Sequence, residues 1–235
     1  LVVDDDVDRA ADREALQAGH VEALGDDALP RERGVAVDEQ GEHAAAGGVA
    51  GGGAVCANAA TGDDGMRVAE QMAQAVADAV GCATTEVMVA STGVIGVKLP
   101  IAKVERGIAD AAAQLSPASG AAAARAIMTT DPFPKESSVE ASAGGRTFRV
   151  GGMAKGSGMI EPLMATMLGV VTTDAAVAPA LLQRALKAAV DETFNAITVD
   201  GECSTNDCVF ALASGASGVV IDEAGYDAFV EALRE

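Results

Sequence analysis

The sequence has no tryptophan and few other aromatic residues, so small and aliphatic side chains must fill its core. Aromatic residues make up 3% of the 235 residues, whereas hydrophobic residues make up 49%. The chain also lacks any uninterrupted apolar run of about 18 residues, which is the length that a membrane-spanning helix requires. We therefore expect a globular protein with a core of alanine, valine, leucine and methionine, in a chain long enough to bury one.

Positive charge is also scarce. The chain has 16 Lys and Arg residues against 35 Asp and Glu residues, which gives a formal net charge of −19. Surfaces that bind nucleic acid or anionic membranes need clusters of Lys and Arg, and the sequence shows no such cluster. The expected partners are small molecules or other subunits, with no nucleic acid and no membrane.

Cysteine and histidine are too rare for a disulfide scaffold or a convincing zinc site. The chain has four cysteines and two histidines. Its acidic beginning differs from a secretory signal peptide, which is basic and then apolar. We expect a reduced, cytoplasmic protein in which Cys203 and Cys208 are inert thiols rather than catalytic ones. The cysteines are Cys56, Cys82, Cys203 and Cys208.

The first 54 residues differ in composition from the rest of the chain. They contain no Ile, Phe, Tyr, Lys, Met, Asn, Ser, Thr or Cys. One hypothesis is that a GC-rich gene is translated out of frame up to about Val55, because the missing residue types mostly have A/T-rich codons. The alternative is a disordered acidic arm. In either case the native domain is predicted to begin near Val55.

After Val55, the spacing of apolar residues predicts helices and strands. Thr61 and Asp64 form a capping-box pattern ahead of a helix, a strand is predicted over 85–92, and Pro100 is expected to begin a second helix. The first helix is predicted from apolar residues at helical spacing, which are Met66, Ala69, Met72, Val76 and Val80.

The second half of the chain shows similar signals. A short strand is predicted over 126–130 and a Pro-rich turn over 131–134. Gly144 and Gly145 are expected to close a β-hairpin. Layered α/β is the predicted class, because strands and helices do not alternate strictly. The remaining predicted elements are a helix from Pro179, a strand over 196–200, a strand-like run after Gly201 and a helix from Glu223.

The stretch KGSGMIEPLMATMLGVVTTDA, from Lys155 to Ala175, is the most unusual part of the sequence. Its Gly-rich turn lacks the third glycine and the later acidic residue of a dinucleotide site, so no nucleotide site is predicted. A threonine becomes a nucleophile when cleavage of the preceding peptide frees its α-amine to act as a base. We interpret Ala165–Thr166 as such a cleavage site, and a buried threonine on an ordinary strand is the alternative.

Other segments carry residues suited to acyl chemistry. The turn Ser91–Gly96 would offer a hydroxyl and a backbone N–H as an oxyanion hole, or would be an ordinary turn. Thr129 or Thr130 could bond a substrate carboxylate or amide, with Asp131 as a turn or cap residue. Lys155 could pair with a substrate carboxylate, or be a solvated surface lysine.

Taken in order, six segments resemble the ornithine acetyltransferase family of arginine biosynthesis, also called glutamate N-acetyltransferase. Together they lie between Asn58 and Asp207, in the order in which the family has them. The segments are NAATG (Asn58–Gly62), STGVIGVKLP (Ser91–Pro100), MTTDPFPK (Met128–Lys135), MAKGSGMIEPLMATML (Met153–Leu168), TTDA (Thr172–Ala175) and FNAITVDGECSTND (Phe194–Asp207).

The resemblance implies a precursor that cleaves itself between Ala165 and Thr166 into an α-chain and a β-chain. Thr166 then takes the acetyl group of N²-acetyl-L-ornithine and passes it to L-glutamate through an acetyl-enzyme. The resemblance also implies that Thr92 and Gly93 form the oxyanion hole. The substrate contacts that it implies are Thr129, Lys155 and Thr166.

The resemblance further implies the fold and the partners. The fold would be α/β, a four-layer α/β/β/α sandwich like that of N-terminal nucleophile hydrolases. Residues 55–165 would belong to the α-chain and 166–235 to the beginning of the β-chain, and the two chains would pair into a heterotetramer. No metal or other cofactor is implied, and acetyl-CoA is a possible alternative acetyl donor.

The sequence departs from the family at three places. Leu163 stands where the family usually has a polar residue, residues 1–54 do not match, and the chain stops at Glu235 before the family's DGEGATK segment. We therefore expect a fragment that contains the nucleophile but lacks part of the substrate pocket. The alternatives are a threonine-nucleophile amidase or aminopeptidase of the same fold, in which water takes the acyl group, and an inactive fragment.

Overall fold

The computed structural model describes residues 20–23, 56–161, 167–204 and 207–235. The described chain divides into two compact units. Residues 56–134 and 155–157 belong to the first unit, and the other described residues belong to the second. No helix among the described residues is long and apolar enough to cross a membrane.

The first unit is mainly helical in its described part. Helices α1 and α2 pack against each other around a small core of Val80, Ile108 and Ala111. The elements are α1 (Gly62–Val80), a 3₁₀ turn (Thr84–Glu86), α2 (Ile101–Ala113) and α3 (Gly120–Ala126).

Helix α1 confirms the helix predicted after Thr61, but its buried face is different. Met66 is 39% exposed, whereas the buried residues are small apart from one valine. A face of small side chains lets neighbouring backbone approach closely. The buried residues of α1 are Gly65, Ala69, Ala73, Ala77 and Val80.

The capping box predicted for α1 is wrong. Thr61 makes no side-chain bond to a helix N–H; its hydroxyl is 3.1 Å from Asn58 Oδ1 and 3.2 Å from the Asn58 carbonyl oxygen. The Asp64 carboxylate pairs instead with Arg67 and Lys98. Contacts with the preceding loop and with a distant lysine therefore replace the local cap.

Three predicted strands are absent from the described residues. Residues 85–92 begin in the 3₁₀ turn and continue as irregular chain. Residues 126–130 begin with the last residue of α3 and also continue as irregular chain. Residues 196–200 begin at the last residue of a 3₁₀ turn (Phe194–Ala196). Val199 in this stretch is 55% exposed. A strand needs a neighbour to pair with, and β-branched residues alone do not supply one.

The second unit contains a five-stranded mixed sheet in the order β1-β6-β4-β3-β2. Strands β1 and β4 run parallel to β6, and β2 runs antiparallel to β3; β5 and β7 pair separately. The strands are β1 (His20–Ala23), β2 (Lys135–Ala143), β3 (Arg146–Lys155), β4 (Leu168–Thr173), β5 (Ala176–Val177), β6 (Cys208–Ala213) and β7 (Val220–Ile221).

The β2–β3 hairpin confirms the predicted turn. Gly144 has a φ of 58° and Gly145 a φ of 75°, the left-handed conformation that two-residue hairpin turns require and that glycine adopts without strain. The two strands pair from Ala143 and Arg146 at the turn to Lys135 and Ala154 at the far end.

Two helices pack against each other beside this sheet. Helix α4 (Pro179–Glu192) begins at its proline as predicted, because a residue without an N–H fits the first helical position. Helix α5 (Tyr226–Arg234) begins three residues after the predicted Glu223. The core of the unit is largely aliphatic, with the rings of Phe148 and Phe229 5.9 Å apart. These mixed sheets and flanking helices confirm an α/β class.

Candidate active site

The turn Ser91–Gly96 is held in place by the segment just before α1. The Ala57 N–H donates to the Val94 carbonyl oxygen at 3.0 Å, and the Ser91 hydroxyl donates to the Ala57 carbonyl oxygen at 2.9 Å. Gly93 has a φ of 135°, in the region that favours glycine. The Thr-Gly pair is therefore presented by a turn that depends on its glycine.

Lys155 and Thr92 meet inside the first unit. Lys155 is 1% exposed and Thr92 is 8% exposed, and Lys155 Nζ donates to Thr92 Oγ1 at 2.8 Å. Burying an amine is costly unless hydrogen bonds replace its water. Lys155 is therefore not the solvated surface residue that the sequence also allowed, and it contacts the residue predicted to supply the oxyanion hydroxyl.

Asp131 joins two separate turns. It is 7% exposed, and its carboxylate accepts the Gly156 N–H on Oδ1 at 2.8 Å and the Thr129 N–H on Oδ2 at 3.2 Å. A carboxylate that accepts backbone N–H groups forms charge-assisted bonds, which are stronger than neutral ones. The chain after Lys155 is thereby tied to the segment that carries Thr129.

A second link lies beside the first. The hydroxyl oxygens of Thr130 and Ser157 are 2.7 Å apart. Thr130 is exposed, and so is Thr129. Thr129 is therefore exposed, while its backbone N–H is bonded to the buried carboxylate of Asp131.

The NAATG segment adopts an unusual backbone. Asn58 and Ala60 have φ values of 51° and 55°, which cost energy for residues other than glycine. The Asn58 side chain bonds the Gly65 carbonyl oxygen in α1 at 2.9 Å. Tertiary contacts therefore hold this segment in a strained shape, as is common next to functional sites.

In the second unit, two carboxylates hold the chain on either side of the predicted cleavage site. Asp200 accepts the N–H groups of Met159 and Ile160 at 2.6 and 2.9 Å, and Asp207 accepts the Met167 N–H at 2.6 Å. The backbone N–H groups of Met159 and Ile160 hold the pKa of Asp200 below its usual value. Residues 162–166 lie outside the described residues.

Comparison with known proteins decides the family. The model of the ArgJ family matches residues 42–235, which is most of the chain. The chain belongs to the ArgJ family.

The curated ArgJ relatives that it matches are longer proteins. The arginine biosynthesis bifunctional protein ArgJ of Symbiobacterium thermophilum is 56% identical over 180 residues, which cover 75% of this chain and 45% of that protein. The protein of the same name from Synechococcus sp. is 55% identical over 161 residues, covering 68% of this chain and 39% of that protein. The chain thus spans less than half of the length of these relatives.

Two solved ArgJ-related structures are similar to parts of the chain. The arginine biosynthesis bifunctional protein ArgJ from Bacillus halodurans has a TM-score of 0.43 at 39% identity, covering 48% of this chain and 58% of that one. The ornithine acetyltransferase from Mycobacterium tuberculosis, complexed with ornithine, has a TM-score of 0.39 at 37% identity, covering 46% and 57%. At these TM-scores the likeness does not establish a shared fold.

The ArgJ match also bears on the first 54 residues. It begins at residue 42, ahead of Val55, where the native domain is predicted to begin. Apart from the strand His20–Ala23, residues 1–55 lie outside the described residues. The out-of-frame hypothesis stays a prediction.

The structure brings together several of the residues that the sequence predicts for the site. Thr92 contacts Lys155, Gly93 follows Thr92, and the backbone of Thr129 reaches the chain beyond Lys155 through Asp131. The predicted cleavage site and nucleophile, Ala165 and Thr166, lie outside the described residues and stay predictions.

Sequence reasoning missed the bridging role of Asp131 and treated it as a turn or cap residue. One signal was present, because Asp131 is the only charged residue in the segment AIMTTDPFP, from Ala126 to Pro134. A lone carboxylate among apolar and small residues is a candidate for a buried anchor. Its partner Gly156 is 25 residues away, however, and no local pattern names it.

Proposed function

We propose that this chain is part of a glutamate N-acetyltransferase of arginine biosynthesis, which moves an acetyl group from N²-acetyl-L-ornithine to L-glutamate. The buried contact of Lys155 with Thr92 carries the proposal. It places an amine and a hydroxyl side by side, in a chain whose relatives are named as bifunctional arginine biosynthesis proteins.

The first proposed step makes Thr166 an N-terminus. The Thr166 hydroxyl attacks the Ala165 carbonyl carbon, the peptide C–N bond breaks, and an ester forms while the nitrogen gains a proton. Water then hydrolyses the ester, leaving a carboxylate on Ala165 and a free amine and hydroxyl on Thr166. The support for this step is the MATML segment in its ArgJ context.

The second step is acyl transfer through a covalent intermediate. The free α-amine of Thr166 accepts the proton of its own hydroxyl, and the hydroxyl oxygen attacks the acetyl carbonyl of acetylornithine. The amide C–N bond then breaks, the leaving nitrogen takes the proton from the α-amine, and ornithine departs as an amine. The amine of glutamate then attacks the acetyl ester and releases Thr166. We assign Thr92 and Gly93 to the oxyanion, and Thr129 and Lys155 to the substrate.

The wider properties of the protein are proposed on the sequence resemblance. They are a four-layer α/β/β/α sandwich, an α-chain and a β-chain that pair into a heterotetramer, and a cytoplasmic location. Acetyl-CoA is proposed as an alternative acetyl donor.

A denaturing gel with intact-mass measurement tests the cleavage. We expect two fragments that meet at Ala165/Thr166 and a single band for Thr166→Ala. Thr172→Ala is the matched control in the same segment and should leave cleavage unchanged. A single 23.3 kDa band for the unmodified chain would contradict self-cleavage.

The acetyl acceptor is tested with the cleaved protein. Incubation with N²-acetyl-L-ornithine should add the mass of one acetyl group to the fragment that begins at Thr166, and L-glutamate should remove it as N-acetylglutamate. Release of acetate at the same rate with and without glutamate would favour an amidase. The absence of any acetyl adduct would favour an inactive fragment.

A further inference from the structure

Asp131 makes a long-range hydrogen bond that a simple turn residue does not require. One carboxylate oxygen accepts the N–H of Gly156, which is 25 residues away, and the other accepts the N–H of Thr129, which is two residues away. Both donors are backbone N–H groups, so the direction of each bond is certain. A turn or cap would require only the local bond, and the bond to Gly156 fixes a distant segment.

The bond to Gly156 bears directly on Lys155. Gly156 has a φ of 152°, a conformation that side-chain-bearing residues rarely adopt, so the backbone shape right after the lysine depends on glycine. The peptide N–H that Asp131 accepts is the one that joins Lys155 to Gly156. Holding this peptide sets the direction in which the Lys155 side chain leaves the backbone.

We propose that Asp131 is a positioning residue, which holds Lys155 against Thr92 and fixes the position of the Thr129 backbone relative to these two residues. We do not propose that Asp131 contacts the substrate itself. It bonds the backbone N–H groups of Thr129 and Gly156, and the proposed contacts to an amino-acid substrate come from Thr129 and Lys155. The proposal deepens the proposed function and rests on it for the identity of the substrate. The placement of Lys155 by Asp131 stands on the geometry alone.

The size of the effect follows from the two bonds. Hydrogen bonds to charged groups contribute about 1.5–3 kcal/mol each. Asp131→Asn keeps the side-chain size but has only one oxygen, so its NH₂ group would face one of the two N–H donors. Loss of one bond raises the population of an opened Lys155 by about 10-fold to 100-fold.

Chemical labelling of Lys155 tests the placement without any need for activity. The folded chain is treated with an amine-acylating reagent, and modification of Lys155 is followed by peptide mass spectrometry. We expect slow labelling in the unmodified chain and labelling at least about 10-fold faster in Asp131→Asn. Asp200→Asn is the matched control, since Asp200 also accepts backbone N–H groups on both carboxylate oxygens, and its partners are residues other than Gly156.

The controls separate positioning from general loosening. The urea midpoints of both variants are measured. The proposal requires that Lys155 is labelled faster in Asp131→Asn and that the urea midpoint of Asp131→Asn is no lower than that of Asp200→Asn. Equal labelling in Asp131→Asn and the unmodified chain would overturn it, as would an equal increase in Asp200→Asn. Asp131→Ala is measured as a second variant, and Asp131→Asn decides the outcome if the alanine variant does not fold.

Kinetics then tests the link to substrate. With N²-acetyl-L-ornithine as donor, Asp131→Asn should raise KM more than it lowers kcat, because the contacts that it displaces are proposed to bind substrate. A fall in kcat with KM unchanged would contradict this link. If the unmodified chain transfers no acetyl group, the proposed function fails for this chain, while the labelling result still decides the role of Asp131.

Discussion

Replacing Gly65 by alanine should destabilise the chain, although alanine is the better helix former. Gly65 lies in the first turn of α1 and is buried. A methyl group there would overlap the Thr61 hydroxyl and lie 2.9 Å from Asn58 Oδ1. These are the atoms that bond each other in the strained NAATG loop, so the loop or the helix must move.

The magnitude is a difference of three effects. Overpacking costs about 1–3 kcal/mol, and breaking the Thr61–Asn58 bond costs about 1 kcal/mol. The higher helix propensity of alanine stabilises the helix by about 1 kcal/mol and offsets part of this cost. We therefore expect Gly65→Ala to lower the free energy of unfolding by about 2 kcal/mol.

Urea denaturation followed by far-UV circular dichroism measures this change. Gly120→Ala is the matched control, because Gly120 begins α3 and a Cβ there meets no atom within 4 Å; this variant should be unchanged or slightly more stable. In a Thr61→Gly background the cost of Gly65→Ala should shrink, which a double-mutant cycle would show as coupling. A Gly65→Ala chain as stable as the unmodified one would refute the reasoning.

Three further predictions concern the second unit. Because backbone N–H groups hold the pKa of Asp200 low, its carboxylate stabilises the fold above the unfolded pKa of about 3.9 and loses this effect as pH falls through the lower folded value. Asp200→Asn should therefore flatten the acid end of a stability-against-pH curve, and an unchanged acid limb would contradict this. Leu186→Ala, at a side chain that is 2% exposed, should cost about 2–5 kcal/mol in urea denaturation, whereas Val220→Ala, 69% exposed, should stay within about 0.5 kcal/mol. Gly145→Val should destabilise the hairpin by more than about 1 kcal/mol because of its positive φ, and a thermal midpoint equal to that of the unmodified chain would argue against the turn geometry.

Helices and tight turns of this chain could be predicted because their causes are local. Pro100 and Pro179 lie where α2 and α4 begin, since a missing N–H suits a helix start. Gly144 and Gly145 adopt the positive φ values that a two-residue hairpin needs. Each of these signals acts over a few residues, and no distant contact was needed to interpret it.

The strand predictions at 85–92, 126–130 and 196–200 failed for the opposite reason. Each rested on β-branched or apolar residues without a named partner, and a strand is stabilised by the strand beside it. The capping box at Thr61 failed for a local reason, because Asn58, three residues away, competes for the threonine hydroxyl.

The sequence by itself determined which chemical groups are present and in what order. The STG turn, the MTTD turn and the lysine of KGSG were recognisable from residue types alone, and their order was enough to indicate the ArgJ family. It also determined the acidic charge and the aliphatic core, because these depend on composition.

Only the tertiary structure decided which of these groups meet. Lys155 and Thr92 are 63 residues apart yet in hydrogen-bonding contact, and Asp131 reaches across 25 residues to Gly156. Whether a lysine is solvated or buried depends on what packs around it, and the periodicity of its own segment does not contain that information. The burial of Lys155 and its contact with Thr92 are thus properties of the folded chain.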